Sequence, residues 1–240
     1  MAKSVPHPPS ADRLLMRLVR AIAAGDADET AKLVESSPAL PQQRLEVGAT
    51  RQRAAGFFLE EIEHYLYSGD TPLHVAAASY QNKIAEKLIK HEADVSAVNR
   101  RGAQPLHYAA DGGPGARHWN PGAQGEMIAL LIHHGADPNA LDKSGVAPLH
   151  RAVRQRCLGA VEALLRNRSH VRLQNKGGST PLHLAVQNTG RGGTGSPEAR
   201  EMQRQIIIHL LEAGANPEDR DGKGKTVRDC AQSDWIRALL

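Results

Sequence analysis

Apolar residues recur along this chain at two kinds of position. The first is a Pro-Leu-His tripeptide followed by a small apolar stretch, and the second is a run of two or three aliphatic residues later in the same segment. Proline is tolerated at the first position of a helix, where the preceding residue can cap, so each tripeptide predicts the start of a short helix. Glycine after an aliphatic run can adopt a positive φ and end a second helix. The pattern predicts antiparallel pairs of short helices joined by turns.

The tripeptide belongs to a longer motif that repeats. Its copies begin at Thr71, Gln104, Ala147 and Thr180, with a weaker copy at Thr226, and the starts are 33, 43, 33 and 46 residues apart. Glycine stands two positions before each copy, and alanine occupies its sixth position. A period of 33 residues with Thr-Pro-Leu-His-x-Ala resembles the ankyrin repeat over roughly residues 11–240, in an irregular form similar to that of bacterial ankyrin proteins. The resemblance implies an all-α ankyrin-repeat solenoid of stacked helix-turn-helix units with short turn hairpins.

The repeat divides the chain into a disordered tail, residues 1–10, and one domain, residues 11–240. Solenoids need atypical end units with a polar outer face, and both ends of this domain read as degenerate helix pairs. The predicted segments are an N-terminal cap pair (11–40), an insert (41–68), a repeat (69–101), a repeat with an insert (102–144), a repeat (145–177), a repeat with an insert (178–223) and a C-terminal cap (224–240).

Three inserts interrupt the 33-residue period and are the first functional candidates. In the first insert we predict a helix around residues 54–67, where four of the chain's 8 aromatic residues fall. Its aromatic side chains either pack on the first repeats or form a lid over a ligand. The other two inserts, at 112–124 and 188–198, occupy the same point in their units, so we expect them on the same edge. Ser196 and Pro197 predict a helix that starts there and runs to Glu212.

Composition narrows the class of protein. With 8 aromatic residues in 240, the core must be built on Ala, Leu, Ile and Val. The 2 cysteines form no Cys-x-x-Cys pair, which argues against a disulfide framework and predicts an intracellular, cytoplasmic protein. No apolar run reaches the roughly 18 to 20 residues that a membrane span needs.

The titratable residues do not assemble into a recognisable catalytic motif. Of 12 histidines, four belong to the repeated motif, where the resemblance implies a structural hydrogen bond between backbone segments. A phosphate-binding loop ending at Thr226 would need glycine where Asp219 stands. Cys157 reads as a small buried residue. We therefore predict no catalytic residue, no cofactor and no metal site.

Charge suggests where a partner binds. The net charge of +4 is too small to demand nucleic acid, but residues 145–177 carry seven basic residues against one acidic residue. The resemblance implies contacts through the turn tips and the groove along the first helices, so we expect another protein, with an acidic surface, as the partner of a monomer. The predicted partner-binding residues are Tyr67, Arg100, Arg101, Lys143, Arg151, Arg154, Lys176 and, in the second insert, Trp119, for which simple packing is the alternative. Rival interpretations are an enzyme, metal or ligand site assembled from the inserts, and nucleic-acid binding.

Overall fold

A computed structural model describes residues 10–52, 54–188 and 195–240. Consecutive helix pairs make up most of the described chain. The first half contains α1 (Ser10–Ala23), α2 (Ala27–Ser36), α3 (Pro72–Ala78), α4 (Asn82–Lys90), α5 (Pro105–Ala109) and α6 (Pro121–His133). The second half contains α7 (Pro148–Arg154), α8 (Leu158–Arg166), α9 (Pro181–Ala185), α10 (Pro197–Glu212), α11 (Val227–Cys230) and α12 (Asp234–Arg237). Residues 1–9 of the predicted tail lie outside the described residues, and α1 begins at Ser10.

The pairs stack side by side, as a solenoid requires. The first helix of each unit packs on the first helices of its neighbours, in the order α1, α3, α5, α7, α9 and α11, and the second helices α2, α4, α6, α8 and α10 form a parallel layer. Leucines of the repeated motif fill the space between units, and Leu73, Leu106, Leu149 and Leu182 are all buried. The helical solenoid predicted from the sequence is confirmed.

The motif histidines link each unit to the next. In the first copy, the Thr71 backbone N–H donates to Nδ1 of His74 (3.1 Å), so the opposite nitrogen, Nε2, carries the proton and donates to the carbonyl of Ala103 (3.0 Å). The next copies repeat this bond from His107 to Val146 (3.0 Å) and from His150 to Ser179 (3.1 Å). These neutral imidazoles are the structural hydrogen-bonding groups that the family resemblance implied.

The first insert does not form the predicted helix. Instead, β1 (Phe58–Leu59) and β2 (His64–Tyr65) pair antiparallel, with short 3-10 turns before and between them. Two features oppose a helix here: Gly56 is a poor helix former, and Glu63 adopts a left-handed conformation with φ of 49°. The helical register would also have buried Phe58 beside Ile62, whereas Phe58 is exposed and Ile62 is buried.

The other two inserts lengthen the loops before second helices. Asn120 caps α6, its side chain accepting from the Ala123 backbone N–H (3.1 Å). Ser196 likewise caps α10 through the Ala199 backbone N–H (3.2 Å), which confirms the early start and the end at Glu212. Residues 189–194 lie outside the described residues, so the shared edge of these two inserts stays a prediction.

Candidate functional site

The turns between units form a continuous row, which we call the tip row. Each turn donates one backbone hydrogen bond to the turn before it: Arg100 to Ser68 (2.8 Å), Lys143 to Arg101 (2.9 Å), Lys176 to Ser144 (3.0 Å) and Gly222 to Gly177 (2.9 Å). Because the bonding groups are main-chain atoms, the order of the side chains along the row is fixed by the fold. The predicted cations at positions 100, 101, 143 and 176 therefore occupy successive places on one surface.

A side-chain oxygen holds each of the later turns in shape. Oδ1 of Asp142 accepts from the backbone N–H groups of Ser144 (2.8 Å) and Val146 (3.0 Å). Asn99, Asn175 and Asp221 make the same pair of bonds in their own turns. These turns place the two residues that follow, including Lys143 and Lys176, on the outside of the row.

The predicted cations on the tip row are exposed. Arg100, Arg101, Lys143 and Lys176 are all open to solvent. In the described part of the chain, no carboxylate lies within ion-pair distance of any of the four. Tyr67 lies half-buried at the start of the row, and the guanidinium carbons of Arg100 and Arg101 approach its ring centroid at 5.3 and 4.9 Å.

Arg151 lies elsewhere and has a different role from the expected one. Its side chain is only 10% exposed and forms two ion pairs, to Asp111 (2.9 Å) and to Asp142 (3.0 Å). Burial alone would raise the pKa of Asp142, but the backbone N–H groups of its turn together with Arg151 hold that pKa below its usual value. Arg151 therefore cancels the one acidic charge beside Lys143, and it offers no exposed surface of its own to a partner.

Arg154 is exposed but stands apart from the tip row. It is the last residue of α7, and six helical steps of 1.5 Å put it roughly 9 Å from the start of that helix. Its side chain is 57% exposed and pairs with Asp111 (3.3 Å). The charge of Arg154 is thus partly compensated within the protein.

Groups from two inserts do converge on one cleft, of about 310 Å³, in the groove. The first insert contributes Glu63 and His64, and the second contributes residues 112–116 and His118, opposite Tyr80 of the first full repeat. Burial lowers the pKa of both His64 and His118 and raises that of Tyr80, so these groups are neutral near pH 7. Nε2 of His64 and the hydroxyl of Tyr80 are buried without a hydrogen-bond partner among the described residues.

The acidic groups of this cleft are already engaged. Asp111 binds Arg151, Arg154 and the side chain of Gln155 (3.0 Å), and Glu63 lies 3.8 Å from Arg117. Across the described ranges, no group of three or more His, Cys, Asp or Glu residues is arranged to hold a metal ion. The convergence that an enzyme or ligand site needs is present, but its carboxylates are bound to cations of the protein itself.

Trp119 packs into the structure beside this cleft. Its indole Nε1 donates to Oε1 of Gln124 (2.9 Å), which also accepts from Sγ of the buried Cys157 (2.7 Å). The ring lies against the core and is half-buried. These contacts favour the packing alternative for Trp119 over a ligand contact.

Family models match most of the stacked units. The model described as "Ankyrin repeats (3 copies)" matches residues 48–117, "Ankyrin repeats (many copies)" matches residues 131–185, and "Ankyrin repeat" matches residues 101–143 and 177–222. The chain belongs to the ankyrin-repeat family. Ankyrin repeats typically serve as protein–protein interaction modules and are usually not catalytic.

Two further findings on this ankyrin-repeat protein concern related proteins and membrane-spanning helices. A search of curated proteins found no match to the chain. Among the helices that the structure describes, none combines the length and the apolar character needed to cross a membrane.

Proposed function

We propose that this ankyrin-repeat protein binds an acidic segment of a partner protein along its tip row. The observation that carries the proposal is the set of exposed cations at positions 100, 101, 143 and 176, which occupy hydrogen-bonded successive turns and have no carboxylate partner in the described structure. Exposed cations with no ion pair of their own leave a positive potential that an acidic segment can neutralise.

Arg151, although buried, affects the charge of this surface. Asp142 stands next to Lys143 in the same turn, and left unpaired it would attract that lysine and repel an incoming carboxylate. Its ion pair with the buried Arg151 compensates the negative charge while Oδ1 still holds the turn. The turn therefore keeps its shape without presenting an uncompensated negative charge to the partner.

The distance between successive cations of the tip row determines which spacing of acidic residues in the partner matches it. Helices of adjacent units pack about 8 to 10 Å apart, so the cations of successive turns recur at about that distance. A peptide extended in the polyproline II conformation has three residues per turn and advances about 3.1 Å per residue, so side chains at every third position lie on one face about 9 Å apart and match the row. The preferred partner is thus an extended acidic segment and not an acidic helix.

Association kinetics with a defined peptide test the proposal. The probe carries glutamate at every third position, and a peptide of the same composition carries its glutamates in one block. We expect the double variant Lys143→Glu, Lys176→Glu to associate with the spaced peptide several-fold more slowly at low salt, with the difference shrinking at high salt because exposed charges are screened.

A matched control variant makes the same change of charge outside the tip row. Lys83 and Lys90 are exposed on α4, in the layer of second helices, so the double variant Lys83→Glu, Lys90→Glu alters the net charge equally without touching the tip row. All the proteins should unfold at the same denaturant concentration, since exposed substitutions contribute little to stability. Equal association rates for the two double variants would contradict the proposal.

A further inference from the structure

At the N-terminal end of the tip row the surface opens into a cleft of about 410 Å³, which we call the arginine cleft. The first insert contributes Arg51, Tyr65 and Tyr67 to its lining, and the following turn contributes Arg100 and Arg101. The cleft is lined by Ala49, Thr50, Arg51, Ala54, Tyr65, Tyr67, Arg100 and Arg101. Among the described residues, three guanidinium groups and no carboxylate line this depression.

Two of the three arginine side chains of the cleft, those of Arg100 and Arg101, contact other residues of the fold. Nη2 of Arg100 donates to the backbone carbonyl of Ala49 in the first insert, which ties the turn to the insert. Arg100 and Arg101 both lie within 5.3 Å of the Tyr67 ring centroid, so two like charges share one aromatic ring. Each guanidinium has five N–H donors, and the bond to Ala49 uses one of them. Donors are therefore left over, on side chains whose positions are already restricted.

From this arrangement we infer that the arginine cleft binds a phosphate monoester on a side chain of the partner. A carboxylate offers one negative charge to three guanidinium groups, whereas a phosphate monoester carries about −1.5 to −2 at pH 7 and presents three acceptor oxygens. Guanidinium forks match phosphate oxygens in bidentate geometry. The two tyrosine rings provide apolar walls for the side chain that bears the phosphate, and Tyr65 is 41% exposed for that contact.

The cleft and the tip row form one continuous surface. Arg101, in the cleft, accepts the backbone hydrogen bond of Lys143, which leads on to the turn of Lys176. A phosphorylated residue in the cleft therefore places the flanking acidic residues along the lysines. The inference rests on the proposed function because it specifies the anchoring residue of the same acidic segment.

Three peptides with the same spaced glutamates test this inference. One carries phosphoserine at the end that meets the cleft, one carries phosphotyrosine there, and one carries glutamate there. We expect at least one phosphopeptide to bind about tenfold tighter than the glutamate peptide, as measured by fluorescence anisotropy. Inorganic phosphate and anionic lipid vesicles added as competitors distinguish a peptide anchor from free phosphate or a membrane surface: the phosphopeptide should bind more tightly than inorganic phosphate does, and the vesicles should not displace it.

Substitutions test which side chains are responsible for the tighter binding of the phosphopeptides. Arg51→Gln and Arg101→Gln should each remove most of the phosphopeptide advantage, while Lys176→Gln should weaken the phosphorylated and glutamate peptides equally. Thermal unfolding of every variant checks that the fold is intact. Equal affinity for all three peptides, with sensitivity to Lys176→Gln retained, would overturn the phosphate site alone. Loss of sensitivity to Lys176→Gln and to the charge reversals would overturn the proposed function as well.

Discussion

The later turns and the turn at the end of the first insert are stabilised by different side-chain hydrogen bonds. In the later turns an Asn or Asp stands three residues before the glycine and accepts two backbone hydrogen bonds. In the turn that follows the insert, Leu66 stands at that place and is buried. Asp70, which follows Gly69, takes over and accepts from the Tyr67 backbone N–H (2.6 Å). The first turn is therefore held from the opposite side of its glycine.

This exchange makes the first turn depend on the neighbouring unit. Asp70 is fully buried, and its oxygens also accept from the Tyr108 hydroxyl (2.8 and 2.9 Å) and from Nδ2 of Asn99 (2.8 Å). The later turns are shaped by side-chain bonds within their own residues, whereas this one is also held by residues of the next repeat. The repeated bonds make the solenoid regular, and the buried network adds one link between the insert and the next repeat, beside the bond from Arg100 to the carbonyl of Ala49.

The largest effect is expected in the repeated stack. Leu149 is 1% exposed between α7 and its neighbours, and Leu149→Ala removes a side chain from a packed space that cannot fully collapse. We expect a loss of about 2 to 5 kcal/mol in the free energy of unfolding, measured by urea denaturation. Leu141, which is 50% exposed, is the matched control, and Leu141→Ala should stay within about 0.5 kcal/mol of the native protein. Similar losses for both variants would contradict the packing described for the stack.

The motif histidines should make the stack sensitive to acid. Burial, with a smaller contribution from Arg151, lowers the pKa of His107 to about 4. Its Nδ1 accepts from the backbone N–H of Gln104 (3.1 Å), a bond that a protonated imidazole cannot accept. The unfolded chain has an ordinary pKa near 6.5, so it binds more protons than the folded state between about pH 6.5 and 4. The stabilisation is complete above that range and is lost as the pH falls through it, by roughly 3 kcal/mol for this one residue.

The comparison of two histidine variants isolates this effect. His107→Gln removes the titrating group, so its free energy of unfolding should fall less steeply from pH 6.5 to 4 than that of the native protein. His133 is exposed at the end of α6, and His133→Gln is the matched control because it replaces a histidine outside the repeated motif. If the His107 variant keeps the native slope, the imidazole is not the source of the acid sensitivity.

The sequence predicts the repeated units of the fold but not the hairpin of the first insert. The helix starts, the links through histidine and the row of cations all arise from local signals, namely Pro-Leu-His, glycine and the residues before it, and each signal recurs several times. The hairpin at residues 58–65 has no such signal, since its turn uses Glu63 at a positive φ and lacks an Asn-Gly or Asp-Gly pair. His64 of the hairpin packs against Tyr108 of α5, with ring centroids 4.6 Å apart, and no local sequence pattern reports such a tertiary contact.

The residues of the candidate site also differ in how far the sequence predicts them, depending on whether they lie in the repeats or in the insert. Lys143 and Lys176 follow from their places in the repeat. The proposed arginine cleft also includes Arg51 and Tyr65, which belong to the insert and which no sequence pattern brings next to Arg100. Arg151 stays a predicted partner contact, but helical position alone does not reveal that it is buried in ion pairs with Asp111 and Asp142. A signal was available there: a cation at the position of a buried motif residue calls for a nearby acid.

The smallest effect tests the buried network of Asp70, which links the insert to the next repeat. Burial raises the pKa of Tyr108, so its hydroxyl stays protonated and donates to Asp70. Hydrogen bonds to a charged group contribute about 1.5 to 3 kcal/mol, more than those between neutral groups. A double-mutant cycle of Asp70→Asn and Tyr108→Phe, measured by urea denaturation, should therefore give a coupling energy of about 2 kcal/mol. Each single variant should also increase hydrogen exchange at the Ala49 and Leu66 amides, because one link between the insert and the next repeat is then weakened. Additive losses with unchanged exchange would show that this network does not hold the insert.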